Sequence, residues 1–145
     1  MSNLRKYLLY IVGGLFIIIC SLIGSQLSKS MFGSYDRDNI NALIGKQLKE
    51  FKAKLPMQIG EETLLYDVSN EKKTIVFKYK LAKRINNETS RNLIFVDIRE
   101  RVKENICKDK EFLNVTKAGL RYEMRYVDMN NHPINSLFFD YRDCE

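Results

Sequence analysis

A single histidine, His132, is all the imidazole the chain contains. It stands in a predicted turn beside Pro133, and no serine, cysteine or carboxylate near it makes a nucleophile system or a zinc site. The seven glycines include no run that would cradle a phosphate, and neither CxxC nor HExxH occurs. The carboxylate pairs Glu61–Glu62 and Asp140 with Asp143 neighbour exposed positions, whereas general acid–base work needs environments that separate two pKa values. The expectation is a non-enzymatic protein with no catalytic residue, no cofactor and no metal ligand. Concentrated positive charge is also scarce. The formal charge is +6, but Arg5, Lys6 and Lys29 flank an apolar run, and the remaining 21 basic and 18 acidic residues leave only +3. Polynucleotide binders gather positive charge on one face, so no nucleic-acid partner is expected.

What the chain does have is a charge-free stretch of 18 residues from Tyr7 to Gly24. As a helix it would be about 27 Å long, close to the hydrocarbon thickness of a bilayer. This run, which includes Gly14 and Cys20, reads as a membrane anchor. Arg5 and Lys6 lie directly before it, so the N-terminus is expected in the cytoplasm and the rest of the chain across the membrane. A cleaved signal peptide begins in the same way. However, Ile23 before Ser25 is bulky where a small residue is wanted, and Ile19 before Cys20 spoils a lipoprotein reading. A retained anchor in a bacterial inner membrane, with a periplasmic domain, is therefore expected. Ser21, Gly24, Ser25 and Ser28 make a stripe of small residues, which would allow self-association through the transmembrane helix.

The three cysteines divide along the same line. Cys20 lies in the apolar run, where it reads as a small apolar residue. Cys107 and Cys144 lie in the exported part, and two thiols in an oxidising compartment pair. A bridge between them would close a loop of 37 residues and stabilise by roughly 3–4 kcal/mol.

Three segments follow: a cytoplasmic tip and anchor over 1–30, a juxtamembrane amphipathic helix over 31–54, and one small domain over 55–145. In the second, Ile40, Leu43, Ile44, Leu48, Phe51 and Leu55 recur at helical spacing. Lys46, Lys49, Lys52 and Lys54 lie mostly off that stripe, where they are candidate contacts for anionic lipid or an acidic partner. Pro56 ends this helix. An extended segment over 57–60 and a strand from Thr63 to Ser69 come next, then a polar turn and a strand from Thr74 to Leu81. Alternation turns Ile75, Phe77 and Tyr79 to the core and Lys78 and Lys80 to water. Thr89 or Ser90 can cap a helix running to about Cys107, with Ile94, Ile98, Val102 and Ile106 on one side. Asp109 caps a shorter helix that Gly119 closes. A second hairpin runs from Leu120 to Tyr126, through a turn from Asp128 to His132, and back along Ile134 to Tyr141. The expected fold is α+β: an antiparallel sheet of about four strands in two hairpins, with helices packed on one face. Were its second face to carry Leu65, Val76 and Phe138 or Phe139, that face would be apolar enough to dock a partner.

LPxxIxxETxL from Leu55, the FKYKL strand, Cys107 after an amphipathic helix, GLRYEMRYVDxNNxPI from Gly119 and the terminal Cys144 together form a pattern. In this respect the chain resembles small bacterial membrane-anchored proteins with a two-cysteine periplasmic α+β domain. The resemblance implies an envelope location and transfers no site residue. The function expected is that of a single-span protein whose domain binds another envelope protein, as an accessory subunit of a secretion, pilus or similar machine. An immunity or superinfection-exclusion protein is the alternative within that class, and a small-ligand-binding or enzymatic periplasmic domain is the alternative outside it.

Overall fold

The computed structural model describes residues 37–82, 85 and 87–145. The anchor residues Tyr7, Gly14, Cys20 and Gly24, and the inner-membrane placement that rests on them, lie outside the described residues. Among the described residues no helix is long and apolar enough to cross a membrane.

Helix α1 (Arg37–Lys52) buries Ile44 and Leu48 one turn apart, as amphipathic spacing requires. It ends two residues earlier than the lysine pattern suggested, with Lys49 and Lys52 in its last turn, where they suit the negative end of the helix dipole. Strand β1 (Met57–Gly60) is short and pairs antiparallel with β2 (Thr63–Glu71). β2 then turns tightly into β3 (Thr74–Leu81). Lys72 and Lys73 form that two-residue turn with φ of +52° and +79°, the left-handed pair that matches the twist of the strands on either side.

Helices α2 (Glu88–Ile106) and α3 (Lys110–Lys117) follow. The side chain of Asp109 accepts from the Phe112 amide at 3.3 Å, and Gly119, at φ +102°, ends the α3 segment in a conformation that favours glycine. Strands β4 (Arg121–Val127) and β5 (Pro133–Phe139) form the second hairpin. Its turn is held by one carboxylate oxygen of Asp128, which accepts from the Asn130 and His132 amides at 2.8 and 2.9 Å. A short 3-10 helix, Tyr141–Cys144, is capped by Asp140 and closes the Cys107–Cys144 disulfide, with the two Cα atoms 5.4 Å apart.

The strands lie in sequence order as one five-stranded sheet. The expected sheet is corrected on two counts. Residues 57–60 make a fifth strand, and β3 pairs with β4 in parallel, Thr74 opposite Arg121 through Lys80 opposite Val127. The cause of the second is the connection between them. A hairpin reverses direction, but α2 and α3 carry the chain back along the sheet before β4 starts, which is what a parallel neighbour requires.

One row of the sheet builds the core with the helices. Leu65, Val68, Ile75, Phe77, Tyr79, Tyr122, Met124, Tyr126, Leu137 and Phe139 join Ile44 and Leu48 of α1, Phe95, Ile98, Val102 and Ile106 of α2, and Phe112 and Val115 of α3. Tyr79 stacks on Tyr126 at 5.0 Å, and Phe95 meets Tyr126 edge-on at 5.0 Å. Tyr126 is so enclosed that burial pushes its phenol pKa upward.

Candidate interaction surface

The sheet face opposite the core row follows from the same alternation, and it is not apolar. Leu65 belongs to the core row, which removes one of the residues that were to make this face a docking surface; of Phe138 and Phe139, it is Phe138 that lies on this face, opposite Glu123, while Phe139 joins the core. Leu65 lies there because the β2 ladder shifts between Leu65 and Asp67, so Leu65 and Val68, three apart, both point inward. What remains outward is charged. Asp67, Lys78 and Arg125 occupy one register row. Asp67 accepts from Lys78 at 2.9 Å and from Lys52 of α1 at 3.2 Å. Partial burial pushes the Asp67 pKa up, but the hydrogen bonds and charges of the two lysines outweigh this and leave it lowered.

Arg125 reaches both oxygens of Glu123 at 2.8 Å and Glu71 at 3.2 Å. Glu123 is 5% exposed, and a bidentate guanidinium satisfies such a carboxylate. Hydrogen bonding to Glu123, then to Glu71, raises the Arg125 pKa against the opposing effect of burial. The Arg125 hydrogen bond in turn holds the Glu71 carboxyl below its usual range. Val76, flanked in register by Ser69 and Glu123, is fully buried on this face. Phe138, 52% exposed, is its one large exposed apolar side chain among the described residues.

A second cluster fastens the C-terminus. Arg99 of α2 donates to Asp143 at 2.6 Å and to the Phe138 carbonyl at 3.3 Å, and its guanidinium lies over the Phe139 ring at 5.3 Å. Asp140 accepts from Arg142, whose hydrogen bond lowers the carboxyl pKa. The Asp140–Asp143 pair noted in the sequence is thus a cap, each carboxylate holding a backbone amide of the 3-10 turn.

The remaining sequence candidates are dispersed. Lys46 and Lys49 are exposed on α1, Lys52 is paired with Asp67, and Lys54 is exposed beyond the helix end. Cys107 and Cys144 are the disulfide. His132 is exposed and lies 3.1 Å from Asp128, and Glu61 and Glu62 are exposed between β1 and β2. Among the described residues no group of three His, Cys, Asp or Glu side chains could hold a metal ion.

One surface feature was not read from the sequence. Leu93 is 67% and Val96 61% exposed on the side of α2 away from the core, followed by the exposed Glu100 and Glu104. It lies opposite the inward stripe of Ile98, Val102 and Ile106. Its signal was the pair of apolar residues, three apart, that the inward stripe leaves out.

No protein-family model matches the chain, and comparison with curated proteins returns no match. Solved structures do share the fold. A protein from Pseudomonas aeruginosa described as secreted superposes with a TM-score of 0.61 at 14% identity, over 77% of this chain and all of that one. The EpsS pilotin of the Vibrio vulnificus type 2 secretion system gives 0.52 at 14% identity, over 69% of this chain and 86% of its own. The Vibrio cholerae type II secretion pilotin AspS gives 0.52 at 12% identity, over 74% and 94%. At these identities the likeness is one of fold.

Proposed function

We propose that the chain is a non-enzymatic accessory protein of a bacterial envelope, working by binding another protein of a secretion machine. The observation that carries this reading is the likeness to two pilotins of type II secretion systems, which covers nearly the whole of each. The likeness to a protein described as secreted and the disulfide support an envelope location, since disulfides persist in oxidising compartments.

The test is crosslinking in intact cells, followed by detergent extraction, affinity capture of the full-length protein and mass spectrometry. A chain lacking residues 37–145 is the control. Enrichment of a component of a secretion apparatus only when those residues are present is the expected result. Capture of cytoplasmic proteins alone, or the same set from both chains, refutes the reading.

A further inference from the structure

Helices α1 and α2 both contribute to the core, and their outward surfaces match each other. On α2 the exposed residues Leu93, Val96 and Glu100 are spaced three and then four apart. On α1 the exposed residues Ala42, Gly45 and Lys49 have the same spacing. Alternating steps of three and four keep one seam facing a partner helix. The chemistry is complementary at every step: bulky apolar opposite small, then acid opposite base. A Cβ built on Gly45 would meet nothing within 4 Å, so the surface there is open and shallow enough to receive a valine or leucine from outside.

We propose that α1 of one copy docks in parallel against α2 of a second copy, placing Leu93 against Ala42, Val96 against Gly45 and Glu100 beside Lys49. Neighbouring charges reinforce the match. The other exposed ionisable residues beside these seams are Lys46 and Glu50 on α1, and Asp97, already paired with Arg101, and Glu104 on α2. Lys52 is drawn to Asp67 on its own chain, which leaves Lys46 and Lys49 as the basic residues turned outward and Glu100 and Glu104 as their acidic counterparts. Each protomer offers both surfaces, so a two-fold dimer makes the contact twice and closes. The contact is independent of the secretion reading and of the apolar N-terminal run.

The test uses the full-length protein carrying Cys20→Ser, so that the only thiols besides the Cys107–Cys144 disulfide are introduced ones. Gly45→Cys and Val96→Cys are placed in separate chains with different tags, co-expressed, and oxidised in membranes with copper phenanthroline, which removes two electrons and two protons as each S–S bond forms. A mixed dimer carrying both tags is expected at least ten-fold above either like-with-like dimer. Glu100→Lys in the Val96→Cys chain should reduce it several-fold, and Lys49→Glu in the Gly45→Cys chain should restore it. Chains are scored when they keep the native disulfide and melting temperature, and Ala42→Cys with Leu93→Cys provides a second pair. Absence of the mixed dimer with both pairs overturns the proposal, as do like-with-like dimers of equal yield. Trapping of Val96→Cys on a different protein, in place of a second copy, overturns it in favour of a foreign partner.

Discussion

Replacing Cys107 and Cys144 together by alanine removes one covalent link and no buried charge, so the change in stability reads the link almost alone. The closed segment has a sequence separation of 37 and contains α3, β4 and β5. For a loop of that length the chain-entropy relation gives about 13 cal/mol/K, or about 3.8 kcal/mol at 25 °C. Both half-cystines pack partly buried against the core, and alanine keeps their Cβ atoms there, so packing loss adds less than about 1 kcal/mol. For a folded unit of this size a deficit of that magnitude lowers the melting temperature by roughly 10–20 °C. The assay is urea unfolding of the full-length protein in detergent, followed by near-ultraviolet circular dichroism, with wild type run oxidised and after reduction. The alanine variant and the reduced wild type should agree with each other and lie roughly 3–4 kcal/mol below the oxidised protein. A loss below about 1 kcal/mol in either sample refutes the reasoning, because the unfolded chain would then gain little freedom when the loop opens.

Two further outcomes concern the sheet. Lys73→Gly should stabilise by about 0.5–1 kcal/mol, because the residue sits at φ +79°, where a side chain is strained by more than glycine loses in unfolded-state entropy; an unchanged or lower urea midpoint contradicts this. The carboxylates of Asp67, Glu71 and Asp140 are all held below their ordinary values. Their contribution is thus complete above the ordinary carboxylate range near pH 4 and fades as the pH falls through the lowered values. Stability should be flat from pH 7 to about 5 and drop below about 4, with a smaller drop in Arg125→Ala, which takes from Glu71 its main partner and leaves the buried Glu123 without one. Stability that rises on acidification would reverse the sign of the argument.

The local elements were legible because each left a periodic trace. The alternation along 74–81 and 121–127, and the four-residue stacking of Ile98, Val102 and Ile106, specify strand or helix and the inward face from nearest neighbours alone. Asp109 and Gly119 marked a helix start and stop, and Cys107 and Cys144 were the two cysteines outside the apolar run. What could not be read locally was how the two hairpins meet. The β3–β4 pairing depends on the path of α2 and α3, and two hairpin signals side by side suggest an antiparallel sheet throughout. The connecting helices were themselves visible, and a strand–helix–strand order is the signature of a parallel pair. Leu65 turns inward, against the simple alternation, for a different reason. One bulge after Leu65 resets the period of two, and no residue type announces it. The ion network of Lys52, Asp67, Lys78, Arg125, Glu123 and Glu71 draws on α1 and three strands, so it emerges only after the register is known.

The parallel seam at the centre of the sheet also dictates an order of events for a newly made chain. β3 finds β2 across a two-residue turn, yet its other neighbour begins at Arg121, opposite Thr74, with both helices still to come. Until then TIVFKYKL presents an unpaired, apolar edge of the sort that recruits other strands. Closure of this edge is non-local and correspondingly slow, and the bond between Cys107 and Cys144 belongs to the far side of it. The period of greatest aggregation risk therefore runs from emergence of β3 to arrival of β4, and any factor that shields the first hairpin during that interval would raise the yield of folded protein without touching the native state.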